Sequence, residues 1–380
     1  MAKNKKKRKI PWQGALMLLV FMALGGVCGV MIARHMDAIS SPDQTALETI
    51  LTFGGMVLVL YLLLFLQIVV HEGGHLVFGL LSGYKFSSFR VASFMWIRQD
   101  GKLRFKRLSL AGTGGQCLMD PPDMVDGKLP VVLYNLGGSI LNLISAVLCL
   151  VLWRLTLGVA FWPIVFLMSA LIGVIYALVN GIPLRLGAVD NDGHNALSLG
   201  KDSAALRAFW IQMKMAALQA QGVRLRDMPE EWFEVPDEKG MQNSLIAVLA
   251  VFRCNRLMDA HKFQAAREEM GGLVSGQNAL MGIYQNLLTC DLIYCECLFE
   301  NRPDRLERML TKGQKKFMKN MKRFPSVLRT QYAYALLGEG DRAKAEKIKK
   351  VFDKVGKSYP YPVEWAGERE LMDLAAARAE

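Results

Sequence analysis

The stretch that decides the fold runs from Ile50 to Tyr84 and reads ILTFGGMVLVLYLLLFLQIVVHEGGHLVFGLLSGY. It starts with a long apolar run without a charged residue, and the run leads into His71, Glu72 and His75. Because residues four apart share one face of a helix, we expect both histidines on one face with Glu72 beside them. An ionisable side chain at membrane depth costs about 2.5–3.5 kcal/mol. Three such side chains within five positions therefore require a function.

The His-Glu-x-x-His spacing indicates which chemistry these residues can perform. Two histidines one helical turn apart can bind a zinc ion, and the glutamate between them can act as the base that activates water. A short motif of this kind recurs by chance, so its position matters. Here it lies at the end of an apolar helix, where metal ligation would explain the ionisable residues.

The composition predicts a membrane-embedded part followed by a soluble part. The chain has 380 residues, of which 52% are hydrophobic, and the apolar residues are concentrated in the first half. This length suits about two domains. Its seven cysteines lack zinc-finger spacing, so we expect reduced thiols rather than a disulfide framework.

Four apolar segments are long enough to span a bilayer, and we place them at about 12–33, 49–82, 131–155 and 157–179. The expected fold class is mainly α, a polytopic membrane helix bundle of about four spans. A basic N-terminus at residues 1–10 precedes the first span, which predicts a cytoplasmic N-terminus. A nucleic-acid patch is the other reading of this charge. Since no aromatic residues are interleaved with it, we expect no nucleic acid as a partner.

The segment between the second and third spans is basic, which agrees with the cytoplasmic orientation. We predict a membrane-associated β-hairpin at about 86–107, because Asp100-Gly101 is a strong two-residue turn signal and Leu103 and Phe105 alternate with basic residues. A glycine-rich stretch follows at residues 112–115. It lacks the context of a phosphate loop, so we interpret it as a flexible turn.

Polar motifs also mark the third and fourth spans. Gly138 and Asn142 in the third span have two readings: a close helix contact through small residues, or a contact that places Asn142 beside the histidine helix. The fourth span ends near Asn180, and Asp190 and Asp192 follow it. By the alternation of spans, both aspartates reach the same membrane face as the histidines. Two histidines and a carboxylate form a common catalytic zinc set.

Together these motifs resemble the site-2 protease family of intramembrane zinc metalloproteases, over about residues 48–197. The motifs that carry the resemblance are HEGGH at the end of an apolar helix, Gly138-x-x-x-Asn142, and Asn180-x-x-Pro183 leading to Asp192-Gly193. The family also places a membrane-associated β element where we predict the hairpin.

The resemblance implies that His71, His75 and Asp192 bind one zinc ion per chain and that Glu72 is the catalytic base. The spacer before the Asp-Gly pair is longer here than in the family pattern, and it contains Asp190. Asp190 therefore stays the alternative third ligand.

The domain boundaries follow from these assignments. We expect a basic cytoplasmic N-terminus at 1–10, a membrane-embedded metalloprotease domain at 11–199, a helix and linker at 200–240, and a cytosolic helical domain at 241–380. The last part contains helical pairs similar to tetratricopeptide hairpins, with an irregular repeat.

The expected function is hydrolysis of a peptide bond in a membrane-embedded or amphipathic substrate near the cytoplasmic face, as in regulated intramembrane proteolysis or peptide-precursor processing. Asn142 or Asn180 would hold the exposed backbone or the oxyanion, and a hairpin edge would bind an extended substrate. The protein would be a multi-pass protein of a bacterial plasma membrane with both termini in the cytoplasm. Its partners would be the bilayer, a membrane protein or peptide substrate, and a cytosolic protein bound by the helical domain. The alternative is a non-catalytic scaffold that acts through this helical domain.

Overall fold

The computed structural model describes residues 22–23, 25–26, 29–30, 33–34, 45–108, 114–186 and 189–380. The predicted N-terminal segment 1–10 and most of the predicted span 12–33 lie outside these residues. The described chain is mainly helical and contains a small antiparallel sheet.

Three helices in the described part are long and apolar enough to cross a membrane. They are α1 (Ala46–Leu81), α2 (Val131–Leu155) and α3 (Trp162–Gly181), close to the predicted spans at 49–82, 131–155 and 157–179. Helix α3 begins later than predicted, because Pro163 in its first turn favours a helix start there. Much of the apolar surface of α1 is exposed, as expected for a helix that faces lipid.

The chain forms two compact units. One comprises residues 1–74 and 136–182, and the other comprises residues 75–135 and 183–380. The division falls within α1, between Gly74 and His75, so the predicted domain 11–199 is shared between the units. In the first unit, Leu63 packs in one apolar cluster with Ile164 and other residues of α3.

A four-stranded antiparallel sheet belongs to the second unit. Its strands are β1 (Lys85–Val91), β2 (Phe94–Gln99), β3 (Lys102–Arg107) and β4 (Gly115–Asp120), in the order β3-β2-β1-β4. The predicted hairpin at 86–107 is present but is part of this larger sheet.

The turn between β2 and β3 is the one that the sequence predicts. Phe94 pairs with Arg107 and Gln99 pairs with Lys102. Asp100 and Gly101 both have positive φ, at 50° and 71°, as a two-residue turn of the primed type requires.

Strand β2 contributes one face to the core of the helical part. Met95 and Ile97 are buried in the same cluster as the C-terminal helices. The side-chain amide of Gln99 donates to the carbonyl oxygen of Pro360 at 2.7 Å, within the buried interior. The other face of the hairpin exposes aromatic side chains, including Trp96 and Phe105.

The remainder of the second unit is helical. After the short strands β5 (Arg185–Leu186) and β6 (Val189–Asp190), its helices are α4 (Asp192–Ser198), α5 (Ser203–Ala220), α6 (Ser244–Asp259), α7 (Phe263–Ser275), α8 (Gly282–Leu298), α9 (Pro303–Met309), α10 (Lys312–Asn320), α11 (Pro325–Ala333), α12 (Arg342–Gly356) and α13 (Pro362–Arg378). Three short 3-10 helices lie between α5 and α6, and the first two are within the predicted linker.

Candidate metal centre

The two motif histidines lie on one uninterrupted helix. Helix α1 continues through the HEGGH motif, so His71 and His75 are one turn apart. Both histidines and Glu72 are only 8% exposed. One ligand atom from each of His71, His75 and Asp192 lies within 4.8 Å of the other two. Nε2 of His75 lies 3.3 Å from a carboxylate oxygen of Asp192.

The tautomer of His75 is fixed by its hydrogen bond. Its Nδ1 lies 2.8 Å from the backbone carbonyl oxygen of Tyr134. Because a carbonyl oxygen only accepts, Nδ1 carries a hydrogen, and in the neutral ring Nε2 therefore carries the lone pair. The Tyr134 hydroxyl donates to the carbonyl of Cys117 at 2.9 Å, and its ring stacks on Tyr84. The lone pair of His75 therefore faces Asp192 from a firmly held ring.

The tautomer of His71 follows from a chain of two hydrogen bonds. The backbone carbonyl of Gln67 accepts from Nδ2 of Asn142 at 3.1 Å, which fixes the orientation of the Asn142 amide. Oδ1 of Asn142 consequently faces Nδ1 of His71, at 2.9 Å. Since Oδ1 only accepts, Nδ1 of His71 donates, and Nε2 is the ring nitrogen that can act as a metal ligand. Both histidines thus have the outer hydrogen-bond partner that metal-binding histidines usually have.

Gln67 supports this arrangement from one turn before His71. Its side-chain oxygen accepts from Nδ2 of Asn142 at 2.7 Å, and its side-chain nitrogen donates to the carbonyl of Ser169 at 3.2 Å. Gln67 and Asn142 are both fully buried. No motif marks Gln67, and its only sequence signal is that it is a lone amide in an apolar run, four residues before a histidine.

Two glycines allow α1 and α2 to approach closely. A Cβ atom at Gly74 would lie 2.2 Å from the carbonyl oxygen of Gly137. A Cβ atom at Gly138 would lie 2.5–2.7 Å from three ring atoms of His71. The two readings of Gly138 in the sequence therefore describe one contact, in which bare backbone brings α2 against the histidine ring.

The two candidate aspartates point to different partners. Asp192 is the first residue of α4 and lies with His71 and His75, whereas a carboxylate oxygen of Asp190 lies 3.6 Å from Nδ1 of His194. The longer spacer folds into the antiparallel pair β5–β6. Asn191 then caps α4, because its side-chain oxygen accepts from the backbone nitrogen of His194 at 3.0 Å.

The two asparagines proposed for substrate contact have different surroundings. Asn142 bonds to His71 and Gln67, as described above. Asn180 is half-buried, and its side-chain nitrogen donates to the carbonyl of Tyr176 in the preceding turn of α3 at 3.0 Å. The ring of Tyr176 meets His71 edge-on, with 6.5 Å between ring centroids.

The donor set fits zinc. Zinc binds imidazole nitrogen and carboxylate oxygen, and a catalytic site uses three protein ligands with a fourth position for water or substrate. His71 and His75 offer Nε2 atoms whose tautomers are set by outer hydrogen bonds, and Asp192 offers a carboxylate oxygen. The chain matches no family model, no curated protein and no solved structure in the comparisons with known proteins.

Proposed function

We propose that the protein is an intramembrane zinc metalloprotease similar to the site-2 protease family. The observation that supports this best is the approach of His71, His75 and Asp192 to one point, with Glu72 buried beside them. The helix that carries the motif is also one of three that are long and apolar enough to span a membrane. A protease site at membrane depth would explain why these ionisable residues lie in an apolar helix.

In this proposal His71, His75 and Asp192 hold one zinc ion, which when bound lowers the pKa of water to about 7 and polarises the scissile carbonyl. Glu72 accepts the proton of the attacking water and passes it to the leaving amine. Its burial limits access of bulk water to that proton. Asn142 orients His71 through the Nδ1 hydrogen bond, which leaves Asn180 as the candidate contact for the substrate backbone or the oxyanion.

The substrate in this proposal is a membrane protein or an amphipathic peptide cleaved near the cytoplasmic face. A helical segment must become extended before attack, because its amides are engaged in its own hydrogen bonds. Strand β3 is an edge strand of the sheet, and an edge strand can pair with an extended peptide. The exposed Trp96 and Phe105 would provide apolar contacts for side chains of such a peptide.

The decisive experiment compares the purified wild-type protein with Glu72→Gln. We expect about one zinc per chain in both, because glutamine changes no proposed ligand, and we expect the variant to lose about 10²–10⁴-fold in cleavage rate. Membrane proteomics of cells with either protein would identify the fragment that only the wild type produces. Full cleavage by Glu72→Gln would refute the mechanism.

A double substitution of His71 and His75 by alanine separates the protease from the scaffold function. The protease proposal requires that this variant loses zinc and cleavage together. If the helical part were the functional unit, the same variant would keep its cellular function. That result would favour the scaffold.

A further inference from the structure

A cleft lies inside the helical part, between α6, α8, α11 and α13. Its volume is about 250 Å³, and it belongs entirely to the second unit. Apolar side chains such as Leu287, Leu288 and Leu371 form part of its wall. None of the residues assigned to the metal centre lines it.

The charges that line this cleft do not balance. Four carboxyl groups and two guanidinium groups face it, namely Asp259, Asp291, Glu364 and Glu368 against Arg224 and Arg329. Arg224 pairs with Asp259, and Arg329 pairs with Asp291 and with Glu368. The carboxyl groups therefore exceed the guanidinium groups by two.

Hydrogen bonding is also incomplete at the buried end of the cleft. The side chain of Arg329 is 1% exposed, and its Nη1 has no hydrogen-bond partner within the part of the chain that the structure describes. Oε2 of Glu368 lies 2.8 Å from Nε of Arg329 as an ion pair, and neither atom has a hydrogen-bond partner among the described residues. A buried polar group without a partner destabilises the fold, because it has lost its hydrogen bonds to water. Two donors of Arg329 and one acceptor of Glu368 thus lack a hydrogen-bond partner at this end of the cleft.

Two of these carboxyl groups, Glu364 and Glu368, have raised pKa values, chiefly because they are buried. Burial and, as a smaller cause, the nearby carboxyl of Glu368 together raise the pKa of Glu364 to about 7. Burial likewise raises the pKa of Glu368 to about 7, with Asp291 acting in the same direction and Arg329 opposing it. A cation between the two glutamates would favour their charged forms.

We propose that this cleft binds a lysine or arginine side chain of a peptide partner. The cationic head would lie between Glu364 and Glu368, and its alkyl stem would lie along the leucines of the wall. The peptide backbone would supply the carbonyl oxygen that Nη1 of Arg329 lacks. A free alkylamine has no such acceptor, so the structure favours a peptide.

The test measures binding of two fluorescein-labelled, end-blocked pentapeptides to the full-length protein in detergent at pH 8. Their central residue is lysine or norleucine, which has a similar stem without the charge. We expect the lysine peptide to bind at least tenfold more tightly. Equal affinity of the two peptides would overturn the proposal. Displacement of the labelled lysine peptide by n-hexylamine, at the same concentration as by the unlabelled lysine peptide, would also overturn it.

Two substitutions locate the site. Glu368→Gln and Glu364→Gln should each weaken binding of the lysine peptide at least tenfold, whereas Glu346→Gln, at an exposed position of α12, should not. Because Glu368→Gln also removes a partner of Arg329, thermal unfolding would be recorded for each variant. Unchanged binding by folded Glu364→Gln would overturn the proposal even if Glu368→Gln did not fold.

The pH dependence gives a readout that a merely structural role would not produce. Glu368 faces Arg329, Asp291 and Asp259, and Glu364 faces Tyr359 and Glu368. A carboxyl with a pKa of about 7 changes from about one-tenth to about nine-tenths charged between pH 6 and pH 8. Affinity for the lysine peptide should therefore rise about tenfold over this interval. An affinity that is constant or falls would contradict the proposed contact.

Discussion

Replacing the two adjacent glycines of the HEGGH motif by alanine, one at a time, should change the free energy of unfolding in opposite directions. At Gly73 an added Cβ would meet only a side-chain methyl of Leu141, at 3.8 Å, which is an ordinary contact. At Gly74 the Cβ would lie 2.2 Å from the carbonyl oxygen of Gly137 and 2.7 Å from Cα of Gly138. Backbone cannot rotate away as a side chain can, so Gly74→Ala must move α2 as a whole.

The expected difference in the free energy of unfolding follows from two contributions. Replacing glycine by alanine inside a helix contributes about 0.5–1 kcal/mol of stability at either position. Overpacking costs about 1–3 kcal/mol and applies only at Gly74. Because the first term is common to both, the free energies of unfolding of the two variants should differ by about 1–3 kcal/mol. The displaced helix also carries Asn142, so the hydrogen bond of 2.9 Å to His71 should lengthen.

The assay has two parts. Equilibrium unfolding in mixed micelles gives the stability difference, with Gly73→Ala as the matched control. Competition with a zinc chelator gives the metal affinity, which we expect to fall about 10–100-fold in Gly74→Ala, as when an outer-shell partner is lost. If both alanine variants had the same stability and the same zinc affinity, the inferred approach of α1 and α2 would be wrong.

Three further predictions concern the metal centre and the cleft between α6, α8, α11 and α13. Asn142→Leu should lower zinc affinity about 10–100-fold, because the Nδ1 hydrogen of His71 loses its acceptor; chelator competition measures this. Asp192→Asn should reduce bound zinc well below one per chain, whereas Asp190→Asn should not, since the carboxylate of Asp190 lies beside His194; metal analysis of the purified proteins decides between them. Glu364→Gln should stabilise the folded protein at pH 8 by up to about 3 kcal/mol and have little effect at pH 4.5, as measured by thermal unfolding in detergent.

The sign of the last prediction follows from proton linkage. The folded pKa of Glu364 is raised to about 7 from the ordinary value of 4.5, so the folded state holds its proton more tightly than the unfolded state. The full stability is present below pH 4.5 and is lost as the pH rises through 7. Glutamine, which is always neutral, removes this loss.

Each of these experiments has a control and a contrary outcome. Asn180→Leu serves as the control for Asn142→Leu, because the hydrogen bond of Asn180 is to Tyr176; equal zinc affinities of the two variants would contradict the orienting role. Greater loss of zinc from Asp190→Asn than from Asp192→Asn would make Asp190 the third ligand. A stabilisation by Glu364→Gln that is independent of pH, or one that Glu346→Gln reproduces, would show that ionisation of Glu364 is not its cause.

Local signals predicted the parts of the structure that depend on nearby residues. The bounds of α2 follow from an apolar run that starts after Pro130 and ends near Arg154. The turn at Asp100 and Gly101 follows from the chemistry of two positive φ values. The helical spacing of His71 and His75 likewise needs only the sequence.

Long-range contacts account for what the sequence did not predict. Strand β4 pairs with β1 across an intervening hairpin, and its segment has no strong strand pattern of its own. Arg90 is one of many basic residues between the second and third predicted spans, yet it is 1% exposed and donates to the carbonyl of Ala92 at 2.7 Å. The cluster of Arg329 and Glu368 needs the meeting of α11 and α13, which spacing alone does not reveal.

The contact between Gln99 and Pro360 sets when β2 can complete its packing during synthesis. These residues are 261 positions apart, so β2 makes this buried contact only after nearly the whole chain has been made. At a synthesis rate of about 5–20 residues per second, this interval lasts about 13–52 s. The strand with Met95 and Ile97 is open to wrong pairing during that time. Deletion of the C-terminal helices would leave the buried face of β2 permanently without this part of its packing.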